Sequence, residues 1–309
     1  MTDAPDDARP LHRRVAGAPI SWGVSEVPDW GFQLDAVSVL TEMRDLGLAA
    51  TEFGPEGFLE KEPQAKADQL AGYGLQAVGG FLPVLLHDAE HDPLPEVDAF
   101  VDGCLACGAG VVVLAAFTGV DGYDERPVLG EAGWSTMLAN LDRISVHARS
   151  RGVVACLHPH VGTMVETGAE TERVLAGSSV GLCVDTGHLL VGGADPVALT
   201  AAHPDRVVHV HLKDVDAGMA QQVIDKEIGF GEAVGAGMFR PLGQGDVDVA
   251  AMVRTLESAG YQGWYVLEQD LRLAGVPTPP GPVADVRASL DYLLEVGAAT
   301  APSGPTNSG

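Results

Sequence analysis

The segment RVVHVHLKD (206–214) is an apolar run that ends in side chains able to bind a metal ion. Three further runs have the same form: VVACLHPH (153–160), VGLCVDTGH (180–188) and GWYVLEQD (263–270). A continuous apolar run bounded by polar residues is typical of a strand that is buried on both faces of a parallel sheet. Because each run ends in His, Asp or Glu, parallel neighbours in one sheet would bring these side chains together at one edge.

The same alternation extends over most of the chain. Apolar runs of strand length and segments of helical periodicity alternate eight times between residues 15 and 298. Such a sheet either closes into a (β/α)8 (TIM) barrel or stays open and doubly wound. The open form usually carries a Gly-rich dinucleotide loop after its first strand, and APISWGVSE (18–26) contains none. We therefore predict an α/β fold with a single (β/α)8 barrel over residues 15–298.

The segments outside and between these elements are also predicted. Residues 1–14 and 299–309 are polar or rich in Pro and Gly, which indicates disordered tails. Asp195 followed by Pro196 is typical of the start of a helix. The helix predicted over 247–259 has one apolar face, formed by Val249, Met252, Val253 and Leu256. A Gly-rich insertion over 215–245 separates this helix from the preceding strand.

Composition and charge exclude several classes of function. The 309 residues fit one α/β barrel, and 43 acidic against 18 basic residues give a net charge of −25. This charge repels phosphate backbones and argues against a nucleic-acid partner. No apolar run approaches the ~20 residues of a membrane span, and the N-terminal stretch lacks the apolar region of a signal peptide. Four cysteines without a disulfide pattern favour the cytoplasm, and the Cys104–Cys107 pair is interpreted as two buried apolar side chains.

The predicted metal ligands lie where a barrel places its active site. Catalytic residues of such barrels lie at the C-terminal ends of the strands. The ends of the predicted strands five to eight carry His158, Asp185, His211 and Glu268. Two imidazoles and two carboxylates form a ligand set suited to Mn²⁺, Co²⁺, Fe²⁺ or Zn²⁺.

Further polar residues are predicted at the same mouth. The catalytic candidates are His160, His188, Lys213 and Glu166, and the candidates for substrate binding are Trp22 and Glu52. His160 follows His158 by two residues, so strand alternation aims both side chains the same way. His209 lies deeper in the barrel and is interpreted as a hydrogen-bonded core histidine.

This combination of groups suits the chemistry of a carbon acid. A divalent ion polarises a ketone oxygen, and a side chain removes the proton from the adjacent carbon. Reprotonation gives an isomerase or epimerase, whereas loss of a β-hydroxyl gives a dehydratase. The sequence has no Gly-rich phosphate loop, which favours an unphosphorylated sugar or polyol. A catalytically silent sugar-binding barrel is the alternative, and it would bind no metal.

Several motifs resemble those of a known family. They are APISWG, TEFGPEG, HPHVGTMVET, VGLCVDTGHLLVGGADP, RVVHVHLKDV, PLGQGDVD and GWYVLEQD. With them the chain resembles the xylose-isomerase-like barrels of the sugar isomerases and epimerases, and within these the inosose dehydratases of inositol catabolism. The resemblance implies dehydration of scyllo-inosose (2-keto-myo-inositol) to a cyclic diketone with Mn²⁺ or Co²⁺. Zn²⁺, Fe²⁺ or Mg²⁺ would also accept these ligands.

The resemblance also implies roles for individual residues. It places metal ligands at Asp185, His211 and Glu268 and an active-site histidine at His188. Sugar epimerases carry a Glu at the end of strand five, where this chain has His158, as dehydratase-like members do. This difference favours the dehydratase and leaves the base open among Lys213, His160 and Glu166. The expected partner is a small cyclic polyol ketone or a sugar, and a homo-oligomer is compatible with the sequence. The abasic-site endonucleases of the superfamily are disfavoured by the charge and by the missing second ligand set.

Overall fold

Strands and helices alternate in the computed structural model, which describes residues 9–120, 122–123 and 126–300. The strands are β1 (Val15–Gly17), β2 (Ala50–Thr51), β3 (Gln76–Ala77), β4 (Gly79–Val84), β5 (Val111–Ala116), β6 (Val154–Leu157), β7 (Gly181–Asp185), β8 (Val207–Leu212), β9 (Asp214–Val215), β10 (Phe239–Arg240) and β11 (Tyr265–Leu267). The helices are α1 (Ala36–Leu46), α2 (Pro63–Gly72), α3 (Leu94–Cys107), α4 (Glu131–Ser150), α5 (Gly168–Gly177), α6 (Thr186–Val191), α7 (Pro196–Ala202), α8 (Ala217–Ile224), α9 (Phe230–Gly235), α10 (Val249–Ser258) and α11 (Val283–Thr300).

The main sheet is parallel and closes on itself. Its strand order is β3-β2-β1-β11-β8-β7-β6-β5-β4, and β3 and β4 are consecutive pieces of one segment. Val78, between them, donates to Thr51 O on one side (3.0 Å) and accepts from Gly110 N on the other (3.1 Å). The break requires Gly79, because φ there is 144° and a Cβ would lie 1.8 Å from Val111 O. Counting β3 and β4 as one strand gives the predicted (β/α)8 barrel, which is confirmed.

The layers follow from the apolar patterns. The strands are buried on both faces because helices cover the outside of the barrel. In α10 the predicted face is confirmed, since its four apolar residues, spaced i, i+3, i+4 and i+7, are all buried. Asp195 caps α7 by accepting from Val197 N (2.9 Å) and Ala198 N (3.0 Å). No helix in the described part of the chain is long and apolar enough to cross a membrane.

Strand β8 contains one extra residue relative to β7. Leu182 pairs with Val207, but Cys183 pairs with His209, so Val208 has no partner in the ladder. This bulge brings His211 beside Asp185, whereas the uninterrupted register would bring Val210 there. Gly181 leaves room for the bulge, because a Cβ at this position would lie 2.6 Å from the Val208 side chain.

The predicted tails are partly wrong. Within residues 9–14, Leu11–Arg13 form a 3-10 turn and Arg14 is buried. The Arg14 guanidinium donates to both carboxylate oxygens of Glu257 (2.8 and 2.7 Å) and to Tyr261 O (3.0 Å). These contacts attach the start of the chain to the end of α10. At the other end α11 continues to Thr300, and the remaining tail residues, 1–8 and 301–309, lie outside the described residues.

The predicted insertion is an ordered cap over the barrel mouth. It contains α8, α9 and the antiparallel pair of β9 with β10. Asp214 anchors it, since its buried carboxylate accepts from the backbone N–H groups of Val215, Gly243, Gly245 and Val247. The cap places Phe230 and Phe239 against His188, with ring centroids 5.7 and 6.2 Å away.

Candidate metal centre and active-site cavity

A cavity of about 680 Å³ opens at the C-terminal ends of the strands. This volume lies within the range of small-molecule sites. Seven of the predicted residues line it: Glu52, His158, His160, His188, His211, Lys213 and Glu268. Aromatic rings form much of the remaining wall, among them Trp30, Phe81, Tyr123 and Phe230.

The four predicted metal ligands converge at the buried end of this cavity. Asp185 Oδ2 lies 3.3 Å from His158 Nε2 and 3.6 Å from His211 Nδ1. His211 Nδ1 lies 3.2 Å from Glu268 Oε2. All four residues are buried. Their strands β6, β7, β8 and β11 are neighbours in the barrel, which is why ligands from distant parts of the sequence meet.

The nitrogen atoms at this point fit a divalent cation. His158 Nε2 and His211 Nδ1 are buried beside carboxylate oxygens at 3.3 and 3.2 Å but form no well-aligned hydrogen bond, and His158 Nδ1 has no hydrogen-bond partner among the described residues. Such unpaired polar atoms are unusual in protein interiors and call for an explanation. Burial lowers the pKa of His158 and thereby favours the neutral imidazole, which is the form that binds metal. The two imidazoles and two carboxylates could therefore hold a divalent ion.

Asp185 uses its two oxygens for different purposes. Oδ1 caps α6 by accepting from Gly187 N (2.8 Å) and His188 N (2.7 Å). These two bonds fix the carboxylate and direct Oδ2 toward the other ligands. Although burial alone would raise the pKa of Asp185, the charges of Lys213 and His188 hold it well below its usual range. The side chain is therefore an anion with a fixed orientation.

Lys213 lies among three carboxylates. Its Nζ lies 2.8 Å from Asp185 Oδ2, 2.5 Å from Glu268 Oε2 and 3.1 Å from Asp270 Oδ1. Burial would lower the pKa of Lys213, but these carboxylates raise it well above its usual value. The side chain is therefore an ammonium in this arrangement, which favours a proton donor, and the role of Lys213 as a base stays a prediction.

Glu52 and His209 lie directly beneath His211. Glu52 Oε1 accepts from His209 Nε2 (2.7 Å) and from His211 Nε2 (3.0 Å). The interpretation of His209 as a hydrogen-bonded core histidine is confirmed. Burial alone would lower the pKa of His211, yet the carboxylates of Glu268 and Glu52 raise it well above its usual value.

His160 and His188 form one wall of the cavity. Their rings stack with centroids 3.6 Å apart, and Phe81 lies 5.5 Å from His160. Burial first, and then the neighbouring His158 and Lys213, lower the pKa of His160 to about 3. His160 Nδ1 lies 2.7 Å from Val161 O, to which it donates as an N–H. Its Nε2 is therefore the lone-pair nitrogen of a neutral ring.

Two predicted site residues lie elsewhere. Trp22 is fully buried in the core, where its indole N–H donates to Glu42 Oε2 (2.6 Å). The 3-10 turn Pro19–Trp22 follows β1 at once and carries the ring away from the cavity. Glu166 faces Arg126 at 3.5 Å and accepts from Gly162 N (2.6 Å), so it stabilises a loop beside a second, separate pocket. Neither side chain is among those that line the cavity, so the structure does not bring them together with the other candidates.

Asp270 is a site residue that the sequence reasoning missed. It lines the cavity, and its Oδ2 lies 3.6 Å from His188 Nε2. Burial and the nearby Glu268, opposed by Lys213, raise the pKa of Asp270 to about 7. A signal was present in the motif LEQD, because Asp270 follows Glu268 by two residues. By contrast, the ring of Phe230 reaches the site from the cap, whose sequence contains no pattern that indicates its position relative to the barrel.

A family model described as xylose isomerase-like TIM barrel matches residues 40–296. The chain belongs to the xylose isomerase-like TIM barrel family. The resemblance inferred from the sequence motifs is thereby confirmed.

Members of this family and solved structures of the same fold cover most of the chain. The rhizopine catabolism protein MocC of Rhizobium meliloti is 33% identical over 83% of this chain and 81% of its own. The inosose dehydratase of Geobacillus thermodenitrificans is 30% identical over 82% of this chain and 88% of its own. The crystal structure of the IOLI protein with a bound zinc atom superposes with a TM-score of 0.68 at 15% identity, covering 94% of this chain and all of that one. At this identity the structural match concerns the fold alone.

Proposed function

We propose that this protein is a metal-dependent hydro-lyase of inositol catabolism that dehydrates scyllo-inosose (2-keto-myo-inositol). The observation that carries the proposal is the convergence of His158, Asp185, His211 and Glu268 at the buried end of a cavity sized for a small molecule. The similarity to an inosose dehydratase along most of both chains supports the choice of substrate. The imidazole at the end of β6, in place of a second glutamate, favours the dehydratase over an epimerase.

The ligand set would hold Mn²⁺ or Co²⁺. Nitrogen and oxygen donors in equal number are acceptable to both ions, and the unpaired nitrogens of His158 and His211 are the atoms that such an ion would satisfy. When bound, a divalent ion polarises the ketone oxygen of the substrate and acidifies the neighbouring C–H bond.

His160 is the side chain that we assign as the base because of its position. Its pKa of about 3 makes it a weak base, so proton removal depends on strong acidification of the C–H bond by the bound ion. Its Nδ1–H is held by Val161 O, so the Nε2 lone pair is the free acceptor of a ring that lines the cavity. In the proposed reaction Nε2 takes the proton from the carbon next to the ketone. The stacked ring of His188 fixes the plane of His160.

Lys213 is the residue that we assign as the proton donor. Its ammonium is held by carboxylates on one side and lines the cavity on the other. As the C–H bond breaks and the double bond forms, the β-hydroxyl leaves as water with a proton from Nζ. His160 has gained one proton and Lys213 has lost one, so the enzyme returns to its starting state by one proton exchange. Asp270, 3.1 Å from Nζ, orients the ammonium.

The test is turnover of scyllo-inosose by protein loaded with Mn²⁺ or Co²⁺. We expect an ultraviolet-absorbing enol product, loss of that product in His211→Ala, and retention in His203→Ala, which removes a partly exposed histidine that pairs with Glu172. Running the reaction in D₂O separates the alternatives. Deuterium incorporation into a ketose without loss of water would replace the dehydratase with an epimerase or isomerase. Absence of metal binding and turnover would refute both.

A further inference from the structure

Glu52 reaches across the floor of the cavity to two histidines of β8. It follows β2 directly, and β1 and β11 separate β2 from β8 in the barrel. One oxygen, Oε1, accepts both Nε2–H groups, at 2.7 Å from His209 and 3.0 Å from His211. All three side chains are buried. After the bulge at Val208, His209 pairs with Cys183 and His211 with Asp185.

This geometry determines which nitrogen His211 presents to the metal ligands. A metal ion displaces a proton from the imidazole that binds it, and the Nε2 proton is held by Glu52, so Nδ1 is the nitrogen that can serve as the ligand. That Nδ1 is the atom 3.2 Å from Glu268 Oε2 and 3.6 Å from Asp185 Oδ2. A carboxylate behind a metal-binding histidine fixes the tautomer and ring orientation and raises the basicity of the ligand nitrogen.

His209 hydrogen-bonds to Glu52 Oε1, the same oxygen that accepts from His211. The Nδ1 atom of His209 is buried and has no hydrogen-bond partner among the described residues. Among these residues the imidazole of His209 therefore hydrogen-bonds to Glu52 alone. A buried imidazole with this single contact holds the carboxylate in place. Glu52 Oε1 already accepts two hydrogen bonds, so a contact of Glu52 with a substrate hydroxyl would have to involve Oε2.

We infer that Glu52 is a positioning residue that sets the orientation and tautomer of His211, and that His209 holds Glu52 in place for that purpose. The inference rests on the proposed role of His211 as a metal ligand. If Glu52 positions His211, its substitution changes the affinity for the metal ion. If Glu52 instead bound the substrate directly, its substitution would change KM.

The test compares metal binding by Glu52→Gln, Glu52→Asp and His209→Phe. Titration calorimetry with Mn²⁺ should show about 10–100-fold weaker binding by Glu52→Gln. His209→Phe should show a smaller loss in the same direction, and Glu52→Asp, which retains the charge, should bind better than Glu52→Gln. The visible spectrum of the Co²⁺-loaded protein should shift in Glu52→Gln, because the donor nitrogen of His211 changes its basicity.

The matched control is Glu257→Gln. Glu257 Oε1 also accepts from two donors, Arg14 Nη2 and Tyr265 OH at 2.8 Å each, but on the outside of the barrel. It should lose thermal stability and keep the wild-type metal affinity and Co²⁺ spectrum. A metal affinity of Glu52→Gln within twofold of wild type, with an unchanged spectrum, would overturn the inference.

Two further readouts keep the outcomes separate. In the metal-free protein, histidine-labelled NMR spectra should contain downfield Nε2–H signals of His209 and His211 that move in Glu52→Gln. Their absence from the wild type would overturn the inference even where the variants fold poorly. Weakened metal binding in Glu52→Gln, together with no turnover of scyllo-inosose by the wild type, would support the positioning role and refute the proposed reaction.

Discussion

Replacing Asp185 by Asn separates the two functions of its carboxylate. The Asn Oδ1 can still accept from Gly187 N and His188 N, so α6 keeps its cap. The other position becomes an NH₂ donor that faces the donor Nζ of Lys213, which lies 2.8 Å from Oδ2 in the wild type. The substitution therefore removes a metal ligand and a buried negative charge, while the helix start is retained.

The size of the effect follows from the contacts that are lost. Removing one partner of a buried ion pair costs about 3–5 kcal/mol. Lys213 keeps Glu268 and Asp270 at 2.5 and 3.1 Å, so we expect the lower end of that range for stability. For a chain of this length about 3 kcal/mol lowers Tm by roughly 6 °C. A loss of about 3 kcal/mol in metal binding weakens Kd by about 100-fold.

Titration calorimetry with Mn²⁺ and thermal unfolding of the metal-free protein measure the two effects. Asp195→Asn is the matched control, because Asp195 caps α7 with the same two-bond geometry on an exposed surface. It should leave both quantities close to wild type. Asp185→Ala should bind metal as weakly as Asp185→Asn and lose a further ~1 kcal/mol of stability through the missing cap. Binding of Mn²⁺ by Asp185→Asn with wild-type affinity would refute the proposed ligand set.

Two further predictions concern acid stability and proton donation. Hydrogen bonds from Arg126 and from the backbone N–H groups at the start of α5 outweigh burial and lower the pKa of Glu170 in the folded state. The contribution of Glu170 to the free energy of unfolding is therefore present above the unfolded-state pKa of about 4.3 and is lost as the pH falls through the folded-state pKa. Glu170→Gln should flatten the decline in stability below about pH 5. Urea unfolding curves with unchanged pH dependence would contradict this prediction. Lys213→Met should lower kcat for dehydration by about 10²–10⁴-fold, because no ammonium remains to protonate the leaving hydroxyl. A near wild-type kcat in steady-state kinetics would exclude Lys213 as the proton donor.

The fold and the convergence of the four candidate metal ligands could be predicted because both follow from short-range patterns. A strand buried on both faces is recognisable from its continuous apolar residues, and its C-terminal end is recognisable from the first polar residue. Once the strands are parallel neighbours, His158, Asp185, His211 and Glu268 must lie at the same end of the barrel. No long-range distance has to be known in advance.

The errors arose where the geometry depends on distant contacts or on turns. Trp22 was assigned to the cavity because it follows an apolar run, but the 3-10 turn that Pro19 begins rotates it into the core. Glu52 lines the cavity as predicted, but nothing in its local sequence indicates its hydrogen bonds to two histidines 157 and 159 positions away. Arg14 was placed in a tail because its partner Glu257 lies at the far end of the chain.

The bulge in β8 has a consequence for how this protein tolerates changes in length. The extra residue, Val208, lies near the start of β8 beside Gly181. The regular pairing with β7 begins again at His209, and it places His211 beside Asp185. Deleting the Val208 codon would leave Val207 and His209 adjacent and His211 still beside Asp185. A one-residue change in length at the start of β8 is thus absorbed before the strand reaches His209, and the deletion should keep the four candidate ligands together.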